Sequence, residues 1–188
     1  DALCADGSSM VTEFIYWSDY YNSIISPFYS YSTGRTKETL RSSQVTCRDI
    51  DDDGYIEIPE DTSSKKQSSE ITSQNWVNYG NTVLSHKCYS FSCKRDGYIL
   101  VIDDDDFSKV KANYDSESRK LTIIDKKNKS NVFEIVTLIN SNYSVNDPKY
   151  KDYTMIMKNS GFVYLAKVNK SSDIDINIQT LKDMIKVY

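Results

Sequence analysis

Val45-Thr46-Cys47-Arg48-Asp49-Ile50-Asp51-Asp52-Asp53-Gly54-Tyr55-Ile56-Glu57-Ile58-Pro59 is the stretch on which the reading of the fold turns. Its acidic centre satisfies D-x-[DN]-x-[DN]-G-x₅-E, with Glu60 in the final place, and so matches the EF-hand expression. An EF-hand, however, needs a helix on either side of the loop. Here Val45 and Thr46 lead in and Tyr55, Ile56 and Ile58 lead out, and β-branched and aromatic residues of this kind suit a pleated strand. Pro59 stands directly before Glu60, and a polar stretch follows where a second helix is required. The segment therefore reads as strand–acidic turn–strand, and Glu57 replaces Glu60 as the last acidic group of the loop.

That turn has the chemistry of a cation loop. Alternate carboxylates followed by Gly suit a hard, oxygen-seeking ion such as Ca²⁺. Asp49, Asp51 and Asp53 can face inward together, Gly54 permits the sharp bend, the Tyr55 carbonyl can serve as a neutral ligand, and Glu57 completes the set. Without a cation these carboxylates repel one another at close range. The expected role is structural: the ion ties the strand connection and chemistry is left to other groups. The plain alternative is a solvated, Asp-rich β-turn.

The rest of the composition sets limits. The chain has 188 residues, enough for one domain or two small ones. Net charge is -4, with 23 Lys and Arg against 27 Asp and Glu, and the Lys residues form no stripe. Nucleic acid and anionic membrane surfaces reward clustered Lys and Arg, so neither is an expected partner. No apolar run approaches the ~18 residues that a membrane helix needs. Tyr is unusually frequent at 15, against 6 Phe and 2 Trp, which suits half-buried β-structure. Asp1-Ala2-Leu3-Cys4 opens abruptly, without a signal peptide, and reads as a fragment or processed form whose upstream part is missing.

Cys4, Cys47, Cys88 and Cys93 permit two disulfides in an oxidising compartment or four buried or reduced thiols. Cys-x₄-Cys with a single distant histidine, His86, lacks the ligands for zinc. A Cys–His catalytic pair lacks an orienting third residue, and a satisfied surface histidine is the favoured reading.

Strand signals dominate the remainder. Residues 10–17 and 23–29 read as strands about a turn at 18–22, and 33–42 as a loop or short helix. Residues 63–73 carry almost no apolar side chains and mark a linker between a β-rich part (1–62) and a second part (74–188). In the second part, 98–102, 120–124, 132–139, 153–157 and 162–168 read as strands, with Asn159-Ser160-Gly161 as a hairpin turn. Ile178, Leu181 and Ile185 fall at helical spacing, capped by Asp175 or Asn177. The fold class is mainly β with α+β character: an antiparallel sheet closing with a C-terminal helix. Asp103-Asp104-Asp105-Asp106 reads as a strand end or helix N-terminus, because consecutive carboxylates cannot all converge on one ion. The rings of Tyr16, Trp17, Tyr20, Tyr21, Phe28, Tyr29 and Tyr31 are read as edge-strand packing and contact with a missing upstream part, with carbohydrate or protein contact as the alternative.

The acidic loop resembles the calcium loops of FG-GAP and VCBS-type β-propeller repeats. Together with Arg95-Asp96-Gly97-Tyr98-Ile99-Leu100-Val101 and Gly161-Phe162-Val163-Tyr164-Leu165-Ala166-Lys167-Val168, it is similar in order to the C-terminal part of uncharacterised lipoproteins of Gram-positive bacteria. Two departures stand out: Asp52 occupies a place often held by Gly, and residues 103–107 occupy a place where Pro and Trp are expected. The resemblance implies a propeller-like fragment over 1–62, a lipid anchor upstream, and a location on the extracellular face of the bacterial membrane. It implies no activity. The expected function is a non-catalytic cell-surface lipoprotein portion with a structural Ca²⁺ loop and a possible protein or glycan partner. The alternatives are an extracellular hydrolase with a carboxylate site and a recognition module using exposed aromatic rings.

Overall fold

A computed structural model describes the chain apart from residues 37, 43, 63–69, 81–82, 145–146, 170–171 and 173. The elements run β1 (Ala2–Leu3), β2 (Met10–Val11), β3 (Tyr16–Ser18), β4 (Ser23–Ile25), β5 (Tyr29–Ser30), β6 (Arg35–Thr36), β7 (Ile58–Asp61), β8 (Ile71–Gly80), β9 (Val83–Cys93) and β10 (Tyr98–Ile102). Then come α1 (Asp104–Phe107), β11 (Val110–Asp115), β12 (Lys120–Asp125), β13 (Asn131–Ile139), β14 (Thr154–Lys158), β15 (Phe162–Val168), α2 (Ile178–Met184) and β16 (Ile185–Val187). The protein is mainly β, its strand pairings among the described residues are antiparallel, and a helix lies near the C-terminus.

The chain divides into two compact units, 1–63 with 74–88 and 64–73 with 89–188. Strands β8 and β9 are each shared between them by sequence. The expected linker therefore differs from the observed division. Residues 63–69 lie outside the described set, but Ile71 is buried and opens β8, so the end of the polar stretch is already strand. A lone apolar residue at a strand start is invisible to a composition boundary.

The second unit contains a sheet in the order β11-β12-β13-β15-β14. Here the strand readings at 98–102, 120–124, 132–139 and 162–168 match the structure closely, and Asn159 holds the β14–β15 turn by accepting the N–H groups of Gly161 and Phe162. Apolar side chains from β10, β12, β13, β15, α2 and β16 share one core, including Leu100, Leu121, Phe133, Ile135, Tyr164, Leu181 and Ile185. Asn177 caps α2 by accepting the N–H groups of Gln179 and Thr180, as the capping rule requires. Ile185 departs from its helical reading. It turns extended, with φ −88° and ψ 125°, and pairs with Leu100 of β10. Ladder bonds and burial in the core outweigh the spacing that put it on the helix face.

The first unit is built differently. β3 and β4 form a hairpin with Tyr16 opposite Ile25, and β7 pairs with β8 through Ile58 and Val77. Residues 12–15 are not strand, and neither are 45–48; the latter segment has one isolated bridge, Arg48 to Glu57. Side chains have taken over the backbone's hydrogen bonds. Thr39 Oγ1 accepts from Thr12 N–H and donates to Thr12 O, Cys47 N–H donates to Asp1 Oδ2, and Val45 O accepts from Arg41 Nε. Buried backbone groups need partners, and polar side chains satisfy them here in place of a neighbouring strand. Arg41 is itself buried, its Nη1 donating to Thr12 Oγ1 and Thr39 O and its Nη2 to Asp1 Oδ1 at 2.6 Å. Phe28, Ile58 and Val77 form a small apolar cluster in the same unit.

No disulfide joins Cys4, Cys47, Cys88 or Cys93 among the described residues. Cys88 and Cys93 both lie on strand β9, whose extended backbone carries them apart.

Candidate metal centre

The acidic loop is closed at its base by the Arg48–Glu57 bridge, with Glu57 N–H donating to Arg48 O at 2.9 Å and Arg48 N–H to Glu57 O at 3.2 Å. Asp49 folds the loop over itself: its Oδ1 accepts from Asp53 N–H at 3.0 Å and its Oδ2 from Gly54 N–H at 2.8 Å. Asp53 Oδ1 in turn accepts from Tyr55 N–H at 2.9 Å. Asp52 sits at φ +61° and Gly54 at φ +91°, both in the left-handed region that the tight bend demands. Asp tolerates that region better than most residues, and Gly enters it without a Cβ clash. Ile50 points the other way, fully buried, and anchors the loop.

Glu57 is the unusual member. Its side chain is completely buried, yet only Oε2 has a partner, the Ile50 N–H at 3.0 Å; Oε1 has none among the described residues. Burial is the main reason its pKa is raised above the ordinary 4.5. The Ile50 N–H opposes the shift, and the charges of Asp51, Asp53 and Asp49 add to it. A buried carboxylate oxygen without a donor is costly unless something positive satisfies it.

One carboxylate oxygen each from Asp49, Asp51 and Glu57 lies within 4.8 Å of the others, close enough to ligate a single ion. The donor set is all oxygen and strongly anionic, which suits a hard divalent cation. Of the four carboxylates expected from the sequence, these three converge. Asp53 is turned elsewhere, with both oxygens engaged, and Tyr55 donates its N–H to Asp53 while its ring stands in solvent. Glu60 is drawn to β8, where its Oε2 accepts from Asn75 Nδ2 at 2.9 Å, which fits the rejection of the EF-hand pattern.

Sequence reasoning missed Lys87. Its Nζ lies 2.5 Å from Asp53 Oδ2 and 3.1 Å from Asp51 Oδ2. The hydrogen bonds that Lys87 donates to these two carboxylates raise the lysine pKa, and the lysine in turn is the main cause holding Asp53 low. No sequence signal links position 87 to positions 51 and 53, because the pairing depends on how β9 passes the loop.

The other candidates sort quickly. Asp104, Asp105 and Asp106 form the first turn of α1 after Asp103 at the N-cap, as expected, and Asp106 pairs with Lys109. His86 Nδ1 hydrogen-bonds to Asn75 Oδ1, a satisfied histidine. Glu38 and Glu60 line a depression of about 420 Å³ with Phe28, Tyr79 and Leu84. The aromatic segment divides by exposure. Phe28 is buried, but Trp17, Tyr21 and Tyr29 are exposed, and Tyr20 and Tyr31 are 88% and 81% exposed. In the two-stranded β3–β4 ribbon, alternation turns Trp17 and its partner Ile24 outward together.

No protein-family model matches this chain, nor does any curated protein or solved structure.

Proposed function

We propose that residues 49–57 form a structural Ca²⁺ loop in a non-catalytic cell-surface lipoprotein portion. One observation carries the metal reading: the fully buried Glu57 carboxylate has an unpartnered oxygen and sits beside Asp49 and Asp51. The ion would neutralise the cluster and join Glu57 at the base of the loop to the two aspartates, so that its binding free energy adds to folding free energy. The surface location, the upstream lipid anchor and a propeller-like role for 1–62 rest on the resemblance of the loop and the later motifs to FG-GAP repeats and Gram-positive lipoproteins. A thermal melt tests the metal reading. Saturating Ca²⁺ raises Tm relative to EGTA in the wild type, and Glu57→Gln abolishes the difference; an unchanged wild-type melt would falsify the structural ion.

A second reading has its own support. Trp17, Tyr20, Tyr21, Tyr29 and Tyr31 present rings to solvent within one short segment, the arrangement that contact with a glycan or protein uses.

A further inference from the structure

The loop carries its own counter-cation. Lys87 Nζ bonds to Asp51 and Asp53, and Asp51 is also one of the two carboxylates that converge with Glu57. An ammonium group and a divalent ion therefore draw on the same carboxylate. We infer that Lys87 sets the cation affinity of this loop: it holds the outer carboxylates when no ion is bound, and an arriving divalent cation must displace or repel its charge. This inference rests on the cation reading of the loop.

Three features support it. Lys87 comes from β9, remote in sequence from the loop, so its position is fixed by strand pairing rather than by the loop's own conformation. Its side chain is partly covered, at 29% exposure, and the Asp51 and Asp53 side chains are similarly covered at 30% and 32%. Charges in partly covered surroundings are screened less by salt than fully exposed ones. The inner part of the site is left untouched by the lysine: Glu57 Oε1 has no partner among the described residues. Lys87 thus neutralises the outer rim and leaves the buried oxygen for an ion. The outcome is a loop that keeps its shape at low calcium and binds the ion less tightly than the carboxylates alone would allow.

The test is calorimetric titration of CaCl₂ into the full chain, stripped of metal, at constant ionic strength. Wild type, Lys87→Gln and Lys87→Arg are compared. Lys87→Gln removes the charge, and its Kd for Ca²⁺ falls by roughly tenfold or more. Lys87→Arg keeps the charge and stays near wild type. In EGTA, Lys87→Gln melts below wild type and regains the difference when Ca²⁺ is added. Binding by Lys87→Gln alone would also support the inference, since the lysine would then be suppressing affinity outright. Equal Kd values for wild type and Lys87→Gln would overturn the role of Lys87 and leave the calcium loop standing. Absence of binding by all three proteins, with melts indifferent to Ca²⁺, would overturn the loop reading and this inference with it.

Discussion

The two units solve the same problem with different materials. The second buries alternating apolar faces of long strands against one another, around Leu121, Phe133, Ile135 and Leu181. The first has short ribbons and connections whose backbone groups are satisfied by side chains: Arg41, Asp1, Thr12 with Thr39, and Asp49 with Glu57. Burial by area is non-directional and tolerates approximate patterning. A polar knot depends on each partner and fails when one is missing. The comparison teaches where a cation has leverage. An ion adds little to a packed apolar sheet, but it can complete a polar knot that already contains an unsatisfied buried oxygen.

Three substitutions bear on this contrast. Leu121→Ala in the second core carries the largest expected loss, about 4 kcal/mol by urea unfolding, because a fully buried leucine leaves a cavity among rigid strands. Ile58→Ala in the smaller cluster of the first unit is expected nearer about 2 kcal/mol, the low end for such truncations. Equal losses would break the contrast in packing. Arg41→Met comes next. It keeps apolar bulk but leaves Val45 O and Thr39 O without their donor, for a loss of about 2 kcal/mol. A neutral result would mean that the knot is ornamental.

The smallest effect is a pH slope. Glu57 has a raised pKa in the folded protein, so folding favours its protonated form. Its contribution to stability is fully present below the ordinary 4.5 and is lost as pH rises through the raised folded value. Asp6, Asp53 and Asp115 are shifted the other way, and their contributions change below the ordinary 3.8, outside this window. In EGTA, Tm should therefore decline as pH climbs above 4.5, and Glu57→Gln should flatten that decline. Calcium should reverse the trend, since it binds the ionised carboxylate. A slope unchanged in Glu57→Gln would move the titration to another group.

Legibility followed the same division. In the second unit, the runs at 98–102, 120–124 and 162–168 and the Asn177 cap were readable from periodicity and turn chemistry alone. In the first, 12–15 and 45–48 look like strands by composition, yet Thr12 N–H and Cys47 N–H bond to the side chains of Thr39 and Asp1, distant in sequence, and Val45 O to that of Arg41. The loop's bend at Asp52 and Gly54 was legible because left-handed backbone geometry has few residue solutions. Glu57 was readable as the last acid of the loop, but its burial was not, and neither was the exposure of Trp17 and Tyr20.

The amino-acid order by itself determined the mainly β class, the hairpins of the second unit, the capped helix and the acidic turn with its alternating carboxylates. Each of these arises from neighbours along the chain, whose spacing sets which face a side chain takes or which backbone angles it allows. Tertiary structure alone decided that Ile185 leaves the helix for Leu100, that Asp53 turns to Lys87 while Asp49, Asp51 and Glu57 converge, and that one oxygen of Glu57 is buried without a donor. Those outcomes depend on which remote strand passes by, and no local pattern encodes the position of a charge brought in from another part of the sheet.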